Sequence, residues 1–189
     1  MNSFPHILLT TVIVVASFAV PVLADHHEGE KKSAFGSLTI DLGVVVSDLD
    51  KAVKFYTEAI GFEEGPGFGV PAAFAKDSGL TDSKKLDIRV LTLGKGAGAT
   101  KLKLMQVEGE SKKSDNTHIN SQLGFSYITI VVKSTDEALA RLAKAGVKPI
   151  AKGPVTLPEN LNPALSLTIV RDPDGNFVEL VGPKPAAKK

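Results

Sequence analysis

The chain has no cysteine and no tryptophan, and only two tyrosines, Tyr56 and Tyr127, among its 189 residues. Without cysteine there is no disulfide framework, no thiolate zinc site, no thiol nucleophile and no lipid carried on sulfur. An excess of charge is also missing. Lys and Arg number 22 against 21 Asp and Glu, a net charge of +1. That balance gives no electrostatic footprint for nucleic acid and no single-sign field to steer a charged partner. Neither a G-x-G-x-x-G fingerprint nor a P-loop is present, so the phosphate cradles of nucleotide-binding folds are excluded. A nucleophile elbow of the G-x-S-x-G type is missing too, which removes the commonest signature of Ser-His-Asp hydrolysis.

Apolar residues make up 43% and charged residues 23% of the chain, a globular composition. The length suits one domain, at roughly 100–200 residues each. The only long apolar run is Ile7–Leu23, which ends in Val22-Leu23-Ala24 and gives way to Asp25-His26-His27-Glu28. An apolar stretch, small residues before the boundary and a polar continuation are the layout of a secretory signal peptide cleaved after Ala24. The alternative, an uncleaved anchor, has a run at the short limit for spanning a bilayer, with Pro21 interrupting its end. Residues 1–24 are therefore read as a signal peptide and 25–36 as a flexible lead-in. The basic stretch 183–189 (PKPAAKK) is read as a frayed tail. The expectation is an exported protein, periplasmic or secreted, with no membrane anchor once processed.

The remainder carries an internal repeat. Asp41–Gly61 (DLGVVVSDLDKAVKFYTEAIG) and Tyr127–Gly146 (YITIVVKSTDEALARLAKAG) each read as apolar strand, polar cap, amphipathic helix and glycine stop. Asp50 aligns with Asp136 and Ala52 with Ala138, which marks a duplicated unit rather than a solenoid. The first helix has Leu49, Ala52, Val53, Tyr56 and Ile60 at helical spacing behind Ser47 or Asp48 as cap. The second opens on the capping box Ser134-x-x-Glu137 and has Ala138, Leu139, Leu142 and Ala145 on its apolar face. Gly61 and Gly146 suit the left-handed backbone that ends a helix. Further strands are expected near 62–68, 86–93 and 101–107, then near 148–152, 165–171 and 176–182, with a short helix over 71–79. Asp172-Pro173-Asp174-Gly175 reads as the turn between the last two strands. Each half is thus β-α-β-β-β, an α+β arrangement.

Side chains alternate between the two faces of a strand. Leu42, Val44 and Val46, Leu102 and Leu104, Ile128 and Ile130, and Val178 and Leu180 define aliphatic faces suited to packing under the helices. The opposite faces are mixed: Asp41 and Gly43, Lys103 and Met105, Tyr127 and Thr129, Phe177 and Glu179. Mostly apolar walls with a few polar groups are what a ligand-lined concavity needs. Arg89, on the third strand, is a further candidate for this cleft as a binder of an anionic substrate group.

Two β-α-β-β-β halves resemble the vicinal oxygen chelate superfamily of glyoxalases, bleomycin-resistance proteins and extradiol dioxygenases. The resemblance is carried by Leu42–Ala52 (LGVVVSDLDKA), Phe55-Tyr56, Gly61-Phe62, Arg171–Asn176 (RDPDGN) and Glu179-Leu180, across residues 37–182. It implies two modules, about 37–110 and 123–182, whose sheets curl into an open half-barrel around one small-molecule site. Metal-using members place four ligands, commonly His or Gln, Glu, His and Glu, on inward positions of the first, fourth, fifth and eighth strands. The matching positions here are Asp41, Lys103, Tyr127 and Glu179. An ammonium has donors and no lone pair, and a phenol with a pKa of about 10 is a poor ligand near neutral pH.

The site is therefore read as vestigial for metal, with Lys103 paired to Glu179 and to Asp41. Lys103 and Glu179 are the catalytic candidates should the protein turn over its ligand. The expected function is binding of a small organic molecule with no cofactor, as in bleomycin-resistance proteins. The alternative is a glyoxalase-like lyase, isomerase or epimerase with a divalent metal on Asp41 and Glu179. No nucleic-acid partner is expected, and a homodimer is left open. The sequence alone yields one direct test. Intact mass of the protein from its native host should begin at Asp25, and a full-length species extracted from membranes would establish the anchor instead.

Overall fold

The structure, a computed structural model, describes residue 37 and residues 39–186. The stretch read as a signal peptide and the lead-in lie outside the described residues. The described residues fall in one compact unit, Phe35–Lys189. Their element order is β1 (Leu42–Val45), α1 (Leu49–Lys54) with a π-helical continuation over Phe55–Ile60, β2 (Glu63–Val70), α2 (Ala72–Asp77), β3 (Leu86–Thr92) and β4 (Lys101–Val107). The second module follows with β5 (Tyr127–Val131), α3 (Thr135–Lys144), β6 (Val155–Thr156), β7 (Leu165–Arg171) and β8 (Phe177–Pro183). The fold is α+β, with two four-stranded mixed sheets in the orders β1-β4-β3-β2 and β5-β8-β7-β6. In each sheet the strand before the helix runs parallel to the last strand of its module.

Local signals act where the sequence places them. Asp48 caps α1 by accepting from Lys51 N at 3.0 Å, and Ser134 caps α3 by accepting from Glu137 N at 3.2 Å. Gly61 and Gly146 follow the helices with φ of 103° and 71°, a region that costs any residue with a Cβ. Two expectations are corrected. The first helix widens into a π-helix after Lys54. The strand expected over 148–152 is absent among the described residues, and the edge of that sheet is the two-residue β6 at Val155–Thr156. At the start of the tail Lys184 N donates to Ala164 O and Ala186 N donates to Asp136 Oδ2.

One core serves both modules. Val46, Tyr56, Ile60, Phe62, Leu102 and Leu104 of the first pack in the same cluster as Ile130, Ala138, Leu142, Val170, Val178 and Leu180 of the second. The aliphatic strand faces thus lie under the helices, as the alternation requires. Polar contacts fix how the modules meet. Tyr56 Oη donates to Asp172 Oδ2 at 3.0 Å, Ser47 N donates to Asp174 Oδ2 at 3.1 Å, and Arg141 Nη2 donates to Ile60 O at 3.2 Å. Asp172 is almost fully buried. Its carboxylate also accepts from Asp174 N, Asn176 N and Asn176 Nδ2. Four neutral donors therefore satisfy the charge, as a buried carboxylate demands. Burial first, and then the Asp172 charge, push the Tyr56 hydroxyl well above its usual titration range, so it stays a donor.

Removing that donor should weaken the docking of the modules. Tyr56→Phe keeps the ring in its edge-to-face contacts with Phe55 and Phe62 and leaves Asp172 one bond short. The expected loss is about 1.5–3 kcal/mol of unfolding free energy, the net worth of a hydrogen bond to a charged group. Urea denaturation at neutral pH measures it.

Candidate functional site

The face of each sheet turned away from the helices carries Lys103, Met105, Tyr127, Phe177 and Glu179. In the first module the parallel register sets Gly43 beside Lys103 and Val45 beside Met105, and β3 adds Val90 opposite Lys103 and Ile88 opposite Met105. In the second, Tyr127 pairs with Phe177 and Thr129 with Glu179, while Arg171 lies opposite Phe177 and Ile169 opposite Glu179. Paired residues on neighbouring strands point to the same face, so these residues line one surface per module.

The first module's surface is partly filled. α2 lays Ala75 against Leu86 and Ile88, with Val70, Val90, Met105 and Val107 packed around them. Met105 also covers Gly43, where an added Cβ would come within 3.1 Å of its Cε. The open space lies instead between β1 and β5. A cavity of about 560 Å³ there is lined by Val45, Tyr127 and Phe177, together with Ser111, Lys112 and Ser114 from the segment joining the modules. Tyr127 and Val45 are about half exposed and Phe125, at the mouth, is fully so. Phe177 is buried beneath the guanidinium of Arg171, which sits 4.3 Å from its ring centre, a cation–π contact.

Lys103 Nζ lies 2.8 Å from Asp41 Oδ2. The hydrogen bond from Lys103, helped by the charges of Lys103 and Lys101, holds the Asp41 carboxyl below the usual range. The expected partnership of Lys103 with Glu179 is not formed. Glu179 Oε2 accepts from Thr129 Oγ1 at 2.7 Å, because β8 presents it to its own neighbour β5 while Lys103 belongs to the other sheet. Arg89 does not enter the cleft either. The β3–β4 register sets it opposite Leu104, on the helix-side face, where it forms ion pairs with Glu64 and Asp50.

The set Asp41, Lys103, Tyr127 and Glu179 does not fit a divalent metal. Lys103 brings an ammonium to a ligand position and engages one oxygen of Asp41. Among the described residues no group of three or more His, Cys, Asp and Glu converges. What the arrangement offers is a cavity of mixed lining that takes in Tyr127 and Phe177 of the expected residues, while Asp41, Lys103, Met105 and Glu179 lie outside its lining. Sequence reasoning missed two parts of this surface: the joining segment as a wall, and Arg171 over Phe177. The alternation that sets Arg171, Ile169 and Leu167 in one phase of β7 is the signal that places Arg171 on the same face as Phe177.

The Asp41–Lys103 pair makes a pH prediction. A carboxyl whose folded pKa is depressed adds stability above its unfolded pKa and loses it as pH falls through the folded value. Asp41 should therefore titrate below ordinary aspartates in a carbon-detected NMR experiment, and Lys103→Met should move its midpoint upward. Both groups are about one-third exposed, so global stability should change little.

A search of curated proteins finds no match to this chain. Solved structures share its fold. A glyoxalase family protein from Bacillus cereus superposes with a TM-score of 0.63 at 22% identity, covering 81% of this chain and 97% of that one. A glyoxalase I mutant from Zea mays gives 0.56 at 21%, covering 77% of this chain and 47% of the larger partner. TnmS3, an antibiotic binding protein from Streptomyces sp. CB03234, gives 0.51 at 24%, covering 80% and 99%. At such identities the likeness is one of fold. The family model described as Glyoxalase/Bleomycin resistance protein/Dioxygenase superfamily matches residues 38–180. With the repeated β-α-β-β-β modules and the turn at Asp172–Gly175, that match places the chain in this superfamily.

Proposed function

We propose that the protein binds a small organic molecule between its two modules and does so without a catalytic metal. The observation that carries this reading is the pairing of a cavity of about 560 Å³, walled by Val45, Tyr127 and Phe177, with ligand positions already engaged by neighbours. Lys103 neutralises Asp41, and Thr129 engages Glu179. That volume lies within the roughly 300–1,000 Å³ usual for small-molecule sites. The antibiotic binding protein among the structural neighbours supports the same class of function by fold. The rival reading, a glyoxalase-like lyase or isomerase using a divalent metal on Asp41 and Glu179, would need Asp41 to leave Lys103 and two further ligands to be found. Export of the mature chain belongs to the same proposal and rests on the apolar segment ending at Ala24.

Binding of the neutral fluorescent probe N-phenylnaphthylamine tests the site. One saturable site per chain is expected, and Val45→Trp, which fills the cavity from β1, should weaken it by at least about fivefold. Zn, Ni, Mn and Fe should leave the melting temperature unchanged, whereas a specific ion at a hundredfold excess over its Kd would add about 2.7 kcal/mol. Stoichiometric metal in the purified protein, lost on Glu179→Ala, would falsify the metal-free reading and favour the lyase.

A further inference from the structure

The segment between β4 and β5 does more than connect the modules. Ser111, Lys112 and Ser114 line the cavity between β1 and β5. The same three, with Lys113, Asn116 and Asn176, line an adjoining space of about 210 Å³ over Val45, Val46 and Ser47. The two spaces share Val45 and Asn176 as well, so they form one recess with an apolar floor and a polar end.

The charges at that polar end do not cancel. Among the described residues neither Lys112 nor Lys113 has a carboxylate within ion-pair distance. The other cations of the cleft are occupied: Lys103 by Asp41, and Arg171 by the carbonyls of Gly175 and Thr117. Of the carboxylates, Asp174 lines this end and accepts from Ser47 N, Asp115 of the same segment accepts from Thr117 N, and Glu110 lies along the neighbouring surface beside Ser111. Among the residues lining this end, two ammonium groups therefore meet one engaged carboxylate. The hydroxyls of Ser111 and Ser114 and the amides of Asn116 and Asn176 add hydrogen-bonding capacity beside them. The segment is also held in place: Asn116 Nδ2 donates to Asn176 Oδ1 at 3.1 Å, and Arg171 Nη2 reaches Thr117 O at 2.9 Å. A rim anchored to β7 and the β7–β8 turn keeps the lysines at the recess.

We infer that the recess selects an amphipathic organic anion, with a planar apolar body against Val45, Tyr127 and Phe177 and one anionic group at Lys112 and Lys113. This rests on the cleft reading above and names the chemical class it takes. Lysine is well matched to such a group. Its ammonium is a compact charge on a flexible stem, able to meet a carboxylate, sulfonate or phosphate without fixed fork geometry.

Two probes with the same ring system separate the charge from the body. Anilinonaphthalenesulfonate carries a sulfonate that N-phenylnaphthylamine lacks. At low salt the purified protein should bind the sulfonate about tenfold more tightly, and the gap should shrink at about 0.5 M salt, where the Debye length falls to a few ångströms. The double variant Lys112→Gln/Lys113→Gln should erase the gap by weakening the sulfonate. Lys144→Gln/Lys148→Gln, which removes equal charge elsewhere, should preserve it. Equal affinity for the two probes, or a gap that survives the first double variant or is lost in the second, overturns the anion selection. The cleft reading then still stands on the neutral probe. Failure of both probes to bind overturns the two together.

Discussion

The carboxylate of Asp172 is the constraint on which the arrangement of the two modules depends. It sits almost fully buried at the start of the β7–β8 turn, with no cationic partner among the described residues. A charge in that position is tolerated only when its lone pairs are met. Three donors come from its own turn and the fourth, Tyr56 Oη, from the other module. The turn thereby gains its shape and its docking partner from a single group. The π-helical stretch that carries Tyr56 sets the tyrosine, Phe55 and Ile60 all into the shared core. With the modules locked there, β1 and β5 are left to frame the space in which a ligand can lie.

Much of this was legible in the residues. The duplicated strand-cap-helix-glycine pattern marked two modules, and the period-two alternation assigned Asp41, Lys103, Met105, Tyr127, Phe177 and Glu179 to the face away from the helices. Arg89 shows where alternation stops. On β3 both phases contain core-type residues, Asp87-Arg89-Leu91 on one side and Leu86-Ile88-Val90 on the other. Only the register with β4 decides between them. The aliphatic phase of β3 faces the cleft because α2 covers it there, and a six-residue helix leaves little periodicity in the sequence. The partner of Lys103 was undecidable for a related reason. Asp41 and Glu179 are equivalent as carboxylates, but they belong to different sheets, and sheet membership is a property of the assembled fold. The two-residue β6 is too short to carry any pattern, so the apolar residues near Ile150 drew the strand to the wrong place.

The modules share a topology yet differ in what covers them. α2 fills the inner face of the first, while the corresponding stretch of the second, residues 157–164, passes through turns with no helix. Gly182 shows how closely the second module is packed elsewhere. A Cβ at that position would stand 2.6 Å from Val132 Cγ2 and 2.9 Å from Val132 O, inside contact distance, so β8 approaches the start of α3 only because the side chain is missing. Duplication thus preserved the strand order and left each copy free to fill its own concavity.

The joining segment breaks the symmetry that the duplication created. Two modules related by a twofold axis would offer a ligand two equivalent ways to lie, head to tail or tail to head. Residues 111–116 exist once per chain and line the recess with no counterpart from the second module. The covalent link that fused the two copies is thus also what gives the space between them a direction.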